Sequence, residues 1–379
     1  MSCLTVMIIN IILISPGTSH QGARQITELI RSRLASVSQS PSTMNATDNL
    51  KVFEDFTVGL LNSGCCILVV LAYVPCIVVM FTDSSIKTHS CFQLMGHLGL
   101  SDMAVAVFQL IFGVAICTGW ANHMPYWLAK TLGGLLNGLG WYSSTVFLLL
   151  IAVNRWSVVT NRALQYTLFS STGVKIAIGA TWTYTLVWTA LFFTPYASFI
   201  YYPGIWSLYF DTKLAWWQYV KMADWIHNQF TLWPTGFFYL LTGFYMRRSK
   251  AATTVTTRTG TTANGRGQKS RGDSNERSML KQSAIIFFYS MMGSQFFHVM
   301  PYLYGAGFKY AFAVGNFWWL STPACNPLVY LTMNRTIKRK VLRMFGFQAA
   351  AGNTTTHGNK TKEHRPAGNI QVAPYQPPK

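Results

Sequence analysis

Long apolar runs separated by short polar breaks dominate the chain. Residues 56–81, 131–153, 176–200, 225–246, 282–308 and 310–334 carry no Asp, Glu, Lys or Arg, and residues 91–117 carry only Asp102. A bilayer core takes about 20 helical residues at 1.5 Å each. Lipid offers the backbone no hydrogen-bonding partner, so runs of this length predict transmembrane helices and exclude open strands. Seven follow, over about 56–81, 91–117, 131–153, 176–200, 225–246, 282–304 and 312–334, the last two trimmed to leave a turn near Gly305 and Gly307. The predicted fold class is an all-α membrane protein, a seven-transmembrane helix bundle over 56–334.

The flanks follow different rules. An apolar run from Leu4 to Ile14 is too short to span and is followed by Pro16 and Gly17, which predicts a signal peptide over 1–19. Residues 20–55 then form an extracellular segment in which Asn45-Ala46-Thr47 is a glycosylation acceptor. Residues 247–281 and 348–379 are rich in Thr, Gly and basic side chains with little to bury, and read as a disordered third inner loop and a disordered cytoplasmic tail. Between bundle and tail, residues 335–347 place Ile337, Val341, Leu342 and Phe345 on one face and Lys338, Arg339, Lys340 and Arg343 around the other. That pattern predicts a short amphipathic eighth helix lying on the membrane surface.

Composition sharpens this picture. Half of the 379 residues are apolar and only 11% are charged, against roughly 25% in soluble domains, which excludes an ordinary soluble enzyme. The net charge of +19 would suit nucleic acid if it were spread evenly, but residues 56–246 hold only 11 charged side chains. The basic excess therefore addresses membrane lipids or a cytoplasmic protein, and no nucleic acid. With the N-terminus outside and the C-terminus inside, 22 of the 30 Lys and Arg residues fall on inner segments and 8 on outer ones. This orientation obeys the positive-inside rule and predicts a multi-pass plasma-membrane protein.

Polar residues inside the spans are the candidates for chemistry, because an ionisable group there normally faces the bundle interior and serves a function. Asp102 reads as the only acid in the hydrocarbon region, and Asn326-Pro327 in the seventh span would share its layer as a polar hub beside a kink. The alternative for Asp102 is a hydrogen-bonded packing residue. Asn154-Arg155 closes the third span, where a snorkelling anchor is the competing reading for Arg155. Asn137, Trp141, Ser144, Leu148, Ile151 and Arg155 recur at intervals of three and four, so one face of helix three would line the bundle.

Pro75, Pro195, Pro234, Pro301, Pro323 and Pro327 punctuate the helices and would splay their outer halves around a cavity. Candidate ligand-binding walls are Asn137 and Trp141 on helix three, Trp233 on five, Gln295 and His298 on six, and Trp318 and Thr322 on seven. An interhelical hydrogen bond explains His298 equally well. Trp206, Trp216, Trp217 and Trp225 read as an interfacial belt, with Trp233 excepted. Phosphate loops, zinc spacings, nucleophile elbows and paired catalytic acids are all missing, so neither an enzyme nor a cofactor or metal is expected. All seven cysteines lie in the leader or in spans and their edges, which gives no extracellular disulfide framework.

Seven spans with Asp102 in the second, Asn154-Arg155 ending the third, Trp182 in the fourth, Pro234, Pro301 and NPLVY (326–330) together resemble the rhodopsin-like G-protein-coupled receptors. More narrowly, AYVPCIVVM (72–80), HSCFQLMGHLGLSDM (89–103), LLLIAVNRW (148–156) and NPLVYLTMNRTIKRKVLRMF (326–345) are similar to the nematode serpentine chemoreceptors of class T. The resemblance covers about 56–347 and implies a sensory receptor that binds a small-molecule or peptide ligand in an outward-facing cavity and activates a heterotrimeric G protein. It would make Arg155 the switch residue at the G-protein cleft with Asn154 beside it, Asp102 and Asn326 the polar hub, and Tyr330 part of a helix-seven rearrangement. The chain departs from the pattern where Asn154 replaces an acid, Lys130 stands near the place of a Cys, and Val299 replaces an aromatic residue. A transporter or ligand-gated channel is the alternative, since broken helices with buried polar groups also mark substrate paths; no repeat of the spans supports it.

Overall fold

The computed structural model describes residues 46–202, 204–256 and 266–346. The predicted signal peptide, Asn45 and the tail 348–379 lie outside the described residues. Seven long helices form the bundle: α1 Ala46–Thr82, α2 Ser90–Cys117, α3 Tyr126–Thr160, α4 Ser171–Phe193, α5 Trp217–Thr256, α6 Arg266–Gly305 and α7 Ala311–Met333. A shorter helix, α8, covers Arg335–Met344. Among the described residues, α1 to α4 are apolar enough to cross a membrane by composition alone. Tryptophan, tyrosine and amide side chains dilute α5 to α7. Along its most apolar window α3 is 72% buried against 22% for α4, which makes α3 the axis of the bundle and α4 peripheral.

Large apolar side chains face outward and small polar ones inward. Leu68, Ile176, Val187, Phe230 and Leu240 are exposed, whereas Ser101, Ser143, Thr145, Thr185 and Thr235 are fully buried. A protein in water would bury the first group; lipid removes that drive, and helices associate through small residues and interhelical hydrogen bonds instead. The contact between α3 and α4 follows this rule. Thr181, Thr185 and Thr189 pack along one face of α4, and a Cβ at Gly138 would lie 2.1 Å from the Thr189 hydroxyl.

The outer end of α4 corrects the predicted span. The helix stops at Phe193, and Thr194 is extended at ψ 159° ahead of Pro195, because the proline ring disfavours the helical region for the residue before it. Pro195 therefore ends α4 and does not kink it. The chain turns into two strands, β1 Phe199–Tyr202 and β2 Ser207–Phe210, paired antiparallel with Phe199 opposite Phe210 and Tyr202 opposite Ser207. Their aromatic side chains suit a pleated surface. The hairpin lies down on the bundle, burying Phe199, Leu208 and Phe210. Gly133 allows this approach, since a Cβ there would sit 1.8 Å from the Phe199 carbonyl oxygen.

Trp206, read as part of the interfacial belt, is instead 2% exposed. It turns inward with φ 52° at the hairpin tip, where its indole donates to Asp55 at 2.5 Å and stacks on Tyr310 with ring centres 5.8 Å apart. Lys309 lies over both rings and pairs with Glu54 at 2.8 Å. Hydrogen bonds from Lys309 and then Tyr310 hold the Glu54 carboxyl below its ordinary pKa. None of the six cysteines among the described residues forms a disulfide. Polar contacts tether the second outer loop in place of a disulfide: Lys130 donates to the Thr194 carbonyl at 2.5 Å and Tyr126 to Asp211 at 2.8 Å.

On the inner side, α5 continues to Thr256 and α6 begins at Arg266. Within 247–281, read as a disordered loop, residues 247–256 and 266–281 continue these helices, and 257–265 lie outside the described residues. No proline occurs between 235 and 300, so each helix leaving the bundle extends at one hydrogen bond per residue once nucleated. The carboxamide of Asn334 caps α8 by accepting from the Thr336 and Ile337 amides at 3.1 Å. Ile337 and Val341 are buried under the bundle, while Phe345 is exposed. Lys340 pairs with Asp83 at 2.5 Å across to the first inner loop, and that bond, with those from Ser85, pushes the Asp83 pKa down to about 2.

Gly133→Val should displace the hairpin from α3. The expected result is a large loss of receptor reaching the cell surface, measured by antibody labelling of intact cells, with Gly179→Val, which meets open space, as the control that stays at wild-type levels.

Candidate functional site

Asp102 is 1% exposed and gathers three donors from three other helices. Tyr73 on α1 donates its hydroxyl to one carboxylate oxygen, Asn326 on α7 donates to the same oxygen at 2.5 Å, and Ser144 on α3 donates to the other at 2.6 Å. A buried carboxylate needs such company, since an unpaired charge away from water costs several kcal/mol. Pro327, next to Asn326, has no N–H for the Pro323 carbonyl, which loosens α7 at this level. A second link joins the same helices further out. Asn62 donates to the Gln109 carbonyl at 2.8 Å, Gln109 donates its amide to Asn316 at 3.0 Å, and Asn316 donates to Asn62 at 3.4 Å.

Above this hub, in the outer half of the bundle, lies a small cavity. Asn137 and Trp141 of α3 line one side, Asp224 and Asn228 of α5 the next, and Ser294, Phe297 and Trp319 of α6 and α7 the third. Phe199 of the hairpin also lines it. The α3 residues sit in a π-helical stretch, Leu136–Tyr142, a widened turn of the kind that often accompanies functional sites. Trp141 donates its indole N–H to Asn228 at 2.9 Å, and Asn228 donates its amide to Asp224 at 3.2 Å. Nearby, His227 is hydrogen-bonded to Thr145 of α3 at 2.8 Å and to Tyr184 of α4 at 2.7 Å.

Asp224 changes the sequence reading, in which Asp102 stood as the sole acid within the bundle. The fifth helix begins at Trp217, eight residues before the predicted 225, and carries Asp224 inside at 3% exposure. The signal was present: Asp224, Asn228, Thr231, Thr235 and Thr242 form a polar face at helical spacing, and all are buried. Trp233 points away from that face. It is 61% exposed and bonds only to Gln229, one turn earlier, at 2.6 Å, so it belongs to the outer surface and not to the cavity wall.

The remaining candidates also fall beside the cavity. Trp319 lines it, whereas Trp318, one residue or about 100° around the helix, stacks on Phe296 at 5.5 Å on the α6–α7 seam. Thr322 bonds back to the Trp318 carbonyl at 3.2 Å on the same seam. Gln295 reaches Gln229 at 3.4 Å. His298 is half-buried against Phe297 with its Nε2 unpartnered.

A second small cavity opens on the inner side. Arg155 of α3, Tyr239 of α5, Gln282 of α6, Tyr330 of α7 and Asn334 at the head of α8 converge on it. Asn154 faces elsewhere: its amide donates to Ser90 at 3.1 Å and to Gln165 at 3.4 Å, tying α3 to the start of α2 and to the second inner loop.

The profile of the serpentine type 7TM GPCR chemoreceptor Srt family matches residues 43–354. The chain belongs to this family. The receptor is thus a multi-pass membrane protein of the G-protein-coupled class, and family and fold are those of receptors and not of enzymes. Its structure is similar to the crystal structure of squid rhodopsin, with a TM-score of 0.66 over 78% of this chain and 86% of that one. At 15% identity that likeness shows the fold alone. No curated protein matches the chain.

Tyr73→Phe removes one donor to a buried carboxylate, a loss on the order of 1 kcal/mol for a membrane-buried bond. The detergent-purified variant should melt about 2–4 °C lower, whereas Trp233→Leu should leave the midpoint within about 1 °C because its ring packs against no core.

Proposed function

We propose that the receptor lies in the plasma membrane with its N-terminus outside, binds a small ligand in the outer cavity and activates a heterotrimeric G protein through the inner one. One observation carries this reading. A single face of α3 runs from Asn137 and Trp141 at the outer cavity, through Ser144 at the Asp102 hub, to Leu148, Ile151 and Arg155 at the inner cavity. Eighteen residues of helix, about 27 Å, separate the two ends.

A ligand can shift a two-state bundle only by its difference in affinity for the two states. The outer cavity is walled by α3, α5, α6, α7 and the hairpin, so a ligand that prefers α6 and α7 displaced opens the inner cavity between the same helices. Arg155 would then meet the G protein, and Tyr330 would move with α7, whose backbone is loosened at Pro323 and Pro327. Asn154, which carries no charge, is held by Ser90 and Gln165.

Arg155→Ala should abolish G-protein activation, read by a second-messenger reporter, while surface labelling remains at wild-type level; full signalling by this variant would remove Arg155 from its role. Asp102→Asn replaces an acceptor of three hydrogen bonds by a group that must also donate, and should change basal activity at least about twofold. An unaltered basal level and dose response would leave Asp102 as a packing residue.

A further inference from the structure

We infer that the outer cavity recognises a protonated small amine, with Asp224 as its counter-ion and the rings of Trp141, Trp319, Phe199 and Phe297 as its walls. This rests on the reading of the cavity as the ligand site and names the chemistry of what enters it. Asp224 is 3% exposed and lines the cavity. It accepts from the Asn228 amide at 3.2 Å, with the Tyr142 hydroxyl and the Asn137 amide as further neutral neighbours, and among the described residues it makes no ion pair with Lys or Arg. Lys221, one turn outward, lies instead over Tyr209 and Trp217, 5.5 and 6.0 Å from their ring centres. Asp102, by contrast, has three donors and lines neither cavity.

The rest of the wall offers ring faces and a hydroxyl that suit an ammonium group. Trp319 gathers three aromatic neighbours, Trp141 at 6.0 Å, Phe199 at 6.1 Å and Phe297 at 6.2 Å between ring centres. Ring faces attract cations, more strongly when water is excluded. A second polar atom also awaits a partner: the Ser294 hydroxyl lines the cavity, 3% exposed, with no hydrogen bond. An ammonium carries three donors, enough to serve the Asp224 carboxylate and the Ser294 oxygen together. A carboxylate ligand would be repelled by Asp224, and a neutral alcohol would leave a buried acid without a compensating charge.

The test uses the full-length receptor purified in detergent and reads its melting midpoint, which needs no G protein. The probes are primary amines from methylamine through phenethylamine to tryptamine, with 2-phenylethanol and 3-phenylpropionate as matched neutral and anionic partners. At least one arylalkylamine should raise the midpoint by about 2 °C or more at millimolar concentration, neither matched partner should do so, and Asp224→Asn should weaken the amine effect by at least about tenfold. Equal stabilisation by the alcohol or the acid, no shift with any amine, or a shift retained in Asp224→Asn would each overturn the inference. If that variant does not fold, the wild-type comparison of amine with alcohol decides alone. Amine binding without G-protein activation would overturn the signalling reading and leave this one standing, whereas ligand-driven signalling without amine preference would do the reverse.

Discussion

A carboxylate surrounded by lipid-exposed helices must find its partners inside the protein, and the way Asp102 finds them organises the bundle. Donors from α1, α3 and α7 converge on one side chain of α2. Taken singly, an interhelical hydrogen bond in a membrane contributes about 0.6 kcal/mol, too little to hold four helices. The asymmetry matters more, because any arrangement that leaves the carboxylate unpaired costs several kcal/mol. Helix orientations that fail to satisfy Asp102 are excluded, and the relative rotation of α1, α2, α3 and α7 follows from that exclusion.

The same logic, repeated at other levels, gives the bundle its layers. The amides of Asn62, Gln109 and Asn316 join α1, α2 and α7. His227 joins α3, α4 and α5. Lipid supplies no hydrophobic drive between helices, so these polar contacts and the small-residue seam at Gly138 and Thr189 decide which faces meet. At the outer end, Pro195 frees the chain from α4 and the hairpin closes over the space left between the helices. The consequence is a cavity walled by aromatic rings at one end of α3 and a basic cavity at the other. Both can respond to one displacement of α6 and α7, since those helices border both.

Much of the architecture was legible from residue order. Runs with at most one charged residue marked all seven helices, and the three-four recurrence from Asn137 to Arg155 marked the face of α3 that the structure turns inward. The outer site was read less well, and each miss has a local reason. Asp224 stood one residue beyond the predicted start of the fifth span, so a charge treated as a boundary marker was a buried group. Trp318 was preferred to Trp319 because spacing within one helix identifies residues that share a face, without saying which neighbour that face meets. Trp206 was assigned to the lipid interface because composition cannot reveal that the loop carrying it folds back.

By itself, then, the order of residues determined what depends on the solvent along one dimension: which segments lie in lipid and which segment, at α8, lies along a surface. Those outcomes are local, set by hydrophobicity, helical period and backbone sterics within a few residues. Only the tertiary structure decided which side chains meet. The pairing of Asp102 with Tyr73, the burial of Asp224 behind Asn228 and the seating of Phe199 against Gly133 join residues far apart in the chain, and each depends on the rotation of one helix against another, which no single segment encodes.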